Sequence, residues 1–189
     1  MEQGAREALP EEVAMATLHE IGDRTFSWRP INGATTTIKV YAGATVFGTL
    51  RLEGDRRAVA EMGGSRWVFE AGKGSVTVRG EQGAVLATFA AGTGGDGTLT
   101  LADGRMLRWA PTHPGRDARA FYDGGGTRVV RFWKDHQLLK TEDRGAADLG
   151  MAARPEFPLL VALGRVIGIG QGEDGTTESL LATVTALSI

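Results

Sequence analysis

From about Phe26 onward, short runs of β-branched and aromatic residues are separated, at intervals of roughly ten residues, by glycine and by Asp-Gly or Asn-Gly pairs. No other feature constrains the fold as strongly, because this punctuation belongs to all-β chains. The runs also alternate. In 35–41, Thr36, Ile38 and Val40 face one way and Thr35, Thr37, Lys39 and Tyr41 the other. In 45–52, Val46, Gly48, Leu50 and Leu52 oppose Thr45, Thr49 and Arg51, and Phe47 breaks the pattern. Trp67 and Phe69 oppose Arg66 and Glu70, and Val76 and Val78 oppose Thr77 and Arg79. Each strand is therefore expected to bury one face and wet the other. Runs at 84–90, 97–102, 105–110, 119–123, 127–133 and 137–142, with a strand at 25–29, bring the expected number to ten or eleven.

Asn32-Gly33, Gly54-Asp55, Asp96-Gly97, Asp103-Gly104 and Asp123-Gly124 lie between these runs. Such pairs supply the positive φ angles of tight hairpins, so consecutive strands should be antiparallel neighbours in a meander. A long open sheet would leave two unprotected edges, and the strands are expected to close into a barrel or pack as a sandwich.

The segment 157–169 differs. It is apolar at nearly every position, with Arg165 its one charge, and Pro155 and Pro158 stand where a first helical turn would accept them. A helix apolar on all sides must be surrounded, and a β-barrel whose lumen holds it is one solution. Gly164 and Gly168 would give that helix a smooth side. Val161, Val166, Ile167 and Ile169 are β-branched, so a buried strand remains the alternative.

Composition narrows the function classes. The chain of 189 residues is 42% hydrophobic, enough for a sizeable core in one domain. It has 28 glycines without a triplet period, which excludes collagen and fits many turns. The absence of cysteine excludes disulfides, thiol nucleophiles and cysteine-ligated metal, and fits a reducing compartment. With 21 basic against 23 acidic residues, no global field gathers nucleic acid, and none is expected as a partner. The first twenty residues lack the pattern of a signal peptide, and 157–169 is too short to span a bilayer. The expected organisation is a helical arm at 1–24, a barrel at 25–170 and an extension at 171–189, in a cytoplasmic protein that is at most membrane-peripheral.

A closed meander ending in an apolar helix introduced by Pro155-Glu156-Phe157-Pro158-Leu159-Leu160 resembles the tubby C-terminal-like superfamily, with its LURP-one-related and phospholipid scramblase members. More closely, the chain resembles small bacterial proteins of that type. The matching residues are Gly64 to Trp67, Asp103-Gly104-Arg105 leading to Trp109, Phe121-Tyr122-Asp123-Gly124, Arg128 to Phe132, Leu138-Leu139, and Pro155 to Leu163. The resemblance spans about 26 to 170 and implies a barrel of about twelve strands around the C-terminal helix. It also implies phosphoinositide or membrane-surface binding, with none of the family's ligand residues carried over to a position here.

Motifs of catalysis are weak. Gly92, Gly94 and Gly97 fit G-x-G-x-x-G, but an alternating strand follows where a phosphate-binding helix should begin. Gly170, Gly172 and Gly175 fit it too, yet Thr176 stands where a P-loop needs lysine, and the chain ends before a second strand. His19, His113 and His136 have neither metal-ligand spacing nor a nucleophile motif around them. Asp96, Asp103, Asp123 and Asp174 precede glycine without the calcium-loop ladder, so turns are expected. No cofactor or metal site is expected.

What remains is a set of basic residues close to aromatics: Arg105 and Arg108 beside Trp109, then Arg128, Arg131, Trp133 and Lys134, with Lys140 on the following strand. If 128–140 form a hairpin, several of these share an outer face suited to a headgroup or phosphate. The expectation is a non-enzymatic binding or scaffold module whose partner is an anionic lipid, a phosphorylated ligand or a protein. The alternatives are a barrel holding a small apolar ligand in its lumen, and an enzyme of unrecognised type.

Overall fold

A computed structural model describes residues 25–31, 34–113, 118–137, 140–148 and 150–169. The arm at 1–24 and the extension at 171–189 lie outside the described residues, as do Asn32-Gly33 and Leu138-Leu139. Twelve strands follow one another: β1 Thr25–Ile31, β2 Ala34–Ala42, β3 Thr45–Leu52, β4 Arg57–Met62, β5 Ser65–Gly72, β6 Ser75–Gly80, β7 Val85–Ala91, β8 Gly97–Leu101, β9 Met106–Pro111, β10 Arg119–Tyr122, β11 Arg128–Gln137 and β12 Lys140–Ala147. A single 3-10 turn, Thr93–Gly95, joins β7 to β8, and the helix α1 covers Phe157–Ile169. Every strand pairs antiparallel with its sequence neighbours, and β1 closes the barrel on β12 through Thr25↔Ala146 to Trp28↔Asp143. The expected meander is therefore a closed barrel, and no sheet edge is left open.

Two details depart from the sequence reading. β4 (RAVAEM) is not among the expected strands, because its alanines, glutamate and methionine carry little β preference; its neighbours recruit it by pairing on both sides. The second is Phe47. The β2–β3 ladder slips between Val40 and Tyr41, so that Val40 faces Gly48 and Tyr41 faces Val46. The extra residue in this bulge is Phe47, which turns inward and is fully buried while Val46 stays half-buried.

Barrels of about eight strands are filled by their own side chains, and a wider one needs other contents. Here the contents are α1. It packs on β4 and β5 and also on β11, which stands across the ring from them, so the helix runs through the lumen. Pro158 sits in the first turn, where its missing N–H is not needed, and Leu160 N donates to the Glu156 carbonyl at 3.0 Å. The expected helix is present. Phe157, Leu160, Val161, Ala162, Leu163 and Val166 are fully buried in one cluster with the inward side chains of the strands.

The smooth side of the helix is real at one of its two expected glycines. A Cβ on Gly164 would lie 2.2 Å from Cζ of Phe132, whereas one on Gly168 would meet nothing within 4 Å. The same small-against-large pairing recurs inside the wall, where Gly145 makes room for Phe26 and Gly97 for Phe89.

Candidate ligand-binding face

Residues paired across neighbouring strands share a face, so the ladders sort the expected basic residues. Phe132 points inward, packed with Trp28 and Trp109. Arg131 and Trp133 therefore face outward, and Lys134 shares the inner face with Phe132, opposite Asp143. On β9 and β10, Arg108 pairs with Tyr122 on the outside, flanking the inward pair Trp109 and Phe121. Lys140 begins β12 opposite Gln137, and its side chain lies outside the described residues.

Arg105 and Arg128 are already occupied by carboxylates. Arg105 donates from Nε to Asp103 and from Nη1 to Glu156, both at 2.7 Å, and its backbone N–H donates to Asp103 at 3.0 Å. The bonds to Glu156 and then Asp103 raise the Arg105 pKa, and the reciprocal bonds hold the Asp103 carboxyl below its ordinary range. Asp103 thus stabilises its turn above the carboxylate pKa of about 4, a contribution lost as the pH falls through the lowered folded value. Gly104, at φ 85°, completes that turn with the left-handed backbone that glycine permits.

Arg128 grips Asp148 with both sides of its fork, Nε at 2.7 Å and Nη2 at 2.8 Å. Asp148 directly follows β12, and Glu156 directly precedes α1. Together the two arginines therefore clasp both ends of the crossover that carries the chain into the lumen. The expected single face of seven residues is thus divided. Arg128→Gln is expected to cost about 1 kcal/mol, as for a well-aligned exposed pair, and to leave ligand binding unchanged; chemical denaturation and a binding titration on one sample check both.

Arg108 and Arg131 carry the outer face. The guanidinium of Arg108 lies 4.9 Å from the Tyr122 ring centroid and that of Arg131 lies 4.4 Å from the Trp133 ring. Neither has a carboxylate partner among the described residues. Arg131 is flanked in register by Ala120 and Ala146, so neither neighbouring strand sets an acid beside it. A guanidinium held over a ring keeps its N–H donors for other partners, and its fork can grip phosphate oxygens two at a time.

Sequence reasoning missed the rest of this face. Trp133 is followed across the sheet by Arg144, Ser27 and Tyr41, and Arg29 lies over Tyr41 at 4.9 Å. Arg144 is tied to Asp135 at 3.2 Å. β1, with β2 beyond it, comes beside β12 only because the barrel closes, and no local spacing announces it.

The other motifs fall as follows. Gly92, Gly94 and Gly97 bracket the 3-10 turn, whose Gly95 and Gly94 carbonyls accept from Arg119 at 2.7 and 3.3 Å, and β8 follows in place of a helix. Asp123 accepts from Gly125 N and Thr127 N as a turn aspartate does. His113 contacts the Thr112 carbonyl, the His136 side chain is outside the described residues, and so are His19 and the Gly170 to Gly175 string. No group of three potential metal ligands occurs among the described residues. No described helix is long and apolar enough to cross a membrane. No protein-family model, curated protein or solved structure matches the chain.

Proposed function

We propose that this chain is a tubby-like, non-enzymatic binding module that holds the phosphate groups of anionic lipids on the outer face of β9–β11. The observation that carries this reading is the pair Arg108 and Arg131, each held over an aromatic ring and without a carboxylate partner among the described residues. Tyr122 and Trp133 supply the amphipathic rings that favour a headgroup layer. Arg105, Arg128 and Lys134 belong to other tasks in the fold.

Flotation with neutral and with anionic or phosphoinositide-containing liposomes, at low and physiological salt, tests the reading. Salt-sensitive flotation with the anionic vesicles alone is expected. Each basic residue near such a surface contributes about 1 kcal/mol. Arg108→Gln with Arg131→Gln should therefore weaken binding by some thirtyfold at about 1.4 kcal/mol per tenfold, and a soluble headgroup arm shows whether the bilayer itself is needed. No flotation of the intact protein on any anionic vesicle overturns the proposal.

A further inference from the structure

The barrel end toward which α1 runs has a chemistry of its own, independent of the outer face. Arg165, the one charge of the helix, reaches Asp143 on β12 with an N–O distance of 2.5 Å. Asp143 is flanked in register, on the same inner face, by Trp28 of β1 and Lys134 of β11. Lys134 has no ion-pair partner among the described residues. Arg119 stands at the same end but is occupied, by Asp96 at 3.7 Å and by the Gly94 and Gly95 carbonyls. Lys134 and Arg165 against Asp143 give this cluster of three one positive charge in excess.

Its hydrogen bonding is equally one-sided. Among the described residues the buried side-chain polar atoms without a partner are Trp28 Nε1, Trp109 Nε1 and Arg165 Nε, and all three are donors. The two indoles and the helix turn that carries Arg165 are grouped around the Phe132 ring. Trp28 and Trp109 flank the Phe132 ring at 5.7 and 5.4 Å, and Arg165 follows Gly164, which touches that ring from the helix. Trp28 is in the same row as Asp143 and Lys134, and Trp109 lies deeper. A buried donor left without an acceptor is costly, and native interiors seldom tolerate one. Burial disfavours the Arg165 charge, lowering its pKa, so a second negative partner is favourable there. The site is reachable, since the Arg165 and Asp143 side chains keep 20% and 28% of their exposure.

We propose that this mouth binds a small oxyanion, a carboxylate or phosphate group, between Lys134 and the Arg165–Asp143 pair, beside the Trp28 indole. An oxyanion answers both deficits, because it brings negative charge and several lone pairs to a cluster made of donors. The negative end of the α1 dipole opposes it weakly, since that effect fades within the last turn.

The four indole N–H resonances make the test direct, because Trp28 reports on the mouth and Trp133 on the outer face. Proton–nitrogen spectra of the full chain are recorded during titration with inorganic phosphate and with acetate, each against matched chloride, and Trp28→Phe assigns the resonance. A saturable shift of the Trp28 indole with phosphate, or with both oxyanions, but not with chloride is the expected result. Lys134→Gln should weaken that binding about tenfold, as loss of a charged hydrogen bond does, while Arg131→Gln leaves it unchanged. An unmoved Trp28 indole, an equal shift with chloride, or unaltered binding by Lys134→Gln overturns the proposal. A shift at Trp133 bears only on the outer face.

Discussion

Gly164→Val is expected to destabilise the protein by about 3 kcal/mol, at the upper end of what overpacking a filled core costs. Even the first added carbon would sit 2.2 to 2.7 Å from three atoms of the Phe132 ring. That ring cannot swing aside. It is stacked on Trp28, tilted against Trp109 and set edge-on to Phe26 and Phe121, so any motion spreads to four other aromatic residues. Replacing glycine within a helix ordinarily gains up to about 1 kcal/mol of propensity, which is too little to offset the clash. Denaturant unfolding measures the loss. Phe132→Leu in the same chain should return part of it, because the smaller side chain vacates the space that the added valine methyls would need. A stable single variant would mean that α1 does not lie against β11.

Leu160→Ala tests the other property of the lumen, its close filling. Leu160 is fully buried, near the start of the helix and within the cluster that joins it to the strands. The substitution removes apolar contact and leaves a cavity that a rigid barrel cannot collapse around. The expected loss is about 3 kcal/mol, a fall in melting temperature of roughly 10 °C for a chain of this length. Such a cavity stays dry and takes up small apolar molecules, so benzene should restore part of the melting temperature in the variant and none in the parent. A loss below about 1 kcal/mol, outside the range for buried leucines, would show that the barrel stands without its helix.

The division of the basic residues explains what is legible in the sequence and what is not. Arg108, Arg131 and Trp133 can be read as a group, because alternation puts all three on the face opposite the buried Phe132 and Trp109. Lys134 joins them only by proximity in the chain. The two-residue period puts it on the inner side, where it meets Asp143 from another strand. Arg105 and Arg128 look like free cations in sequence, since their acids include Glu156 and Asp148, 51 and 20 residues away. Only the crossover into the lumen brings those acids within reach.

The amino-acid sequence by itself determined the β class, the meander, most of the hairpin turns and the burial of the apolar segment 157–169, because each is written in local terms: a period of two, a turn pair, a stretch with one charge. The tertiary structure decided the rest. It set the number of strands at twelve by recruiting β4, and turned Phe47 inward through a bulge. It also divided six of the seven basic and aromatic candidates between an outer face, a pair of clasps and a barrel mouth. Pairing register and ring closure make those choices, and both depend on contacts between residues far apart in the chain.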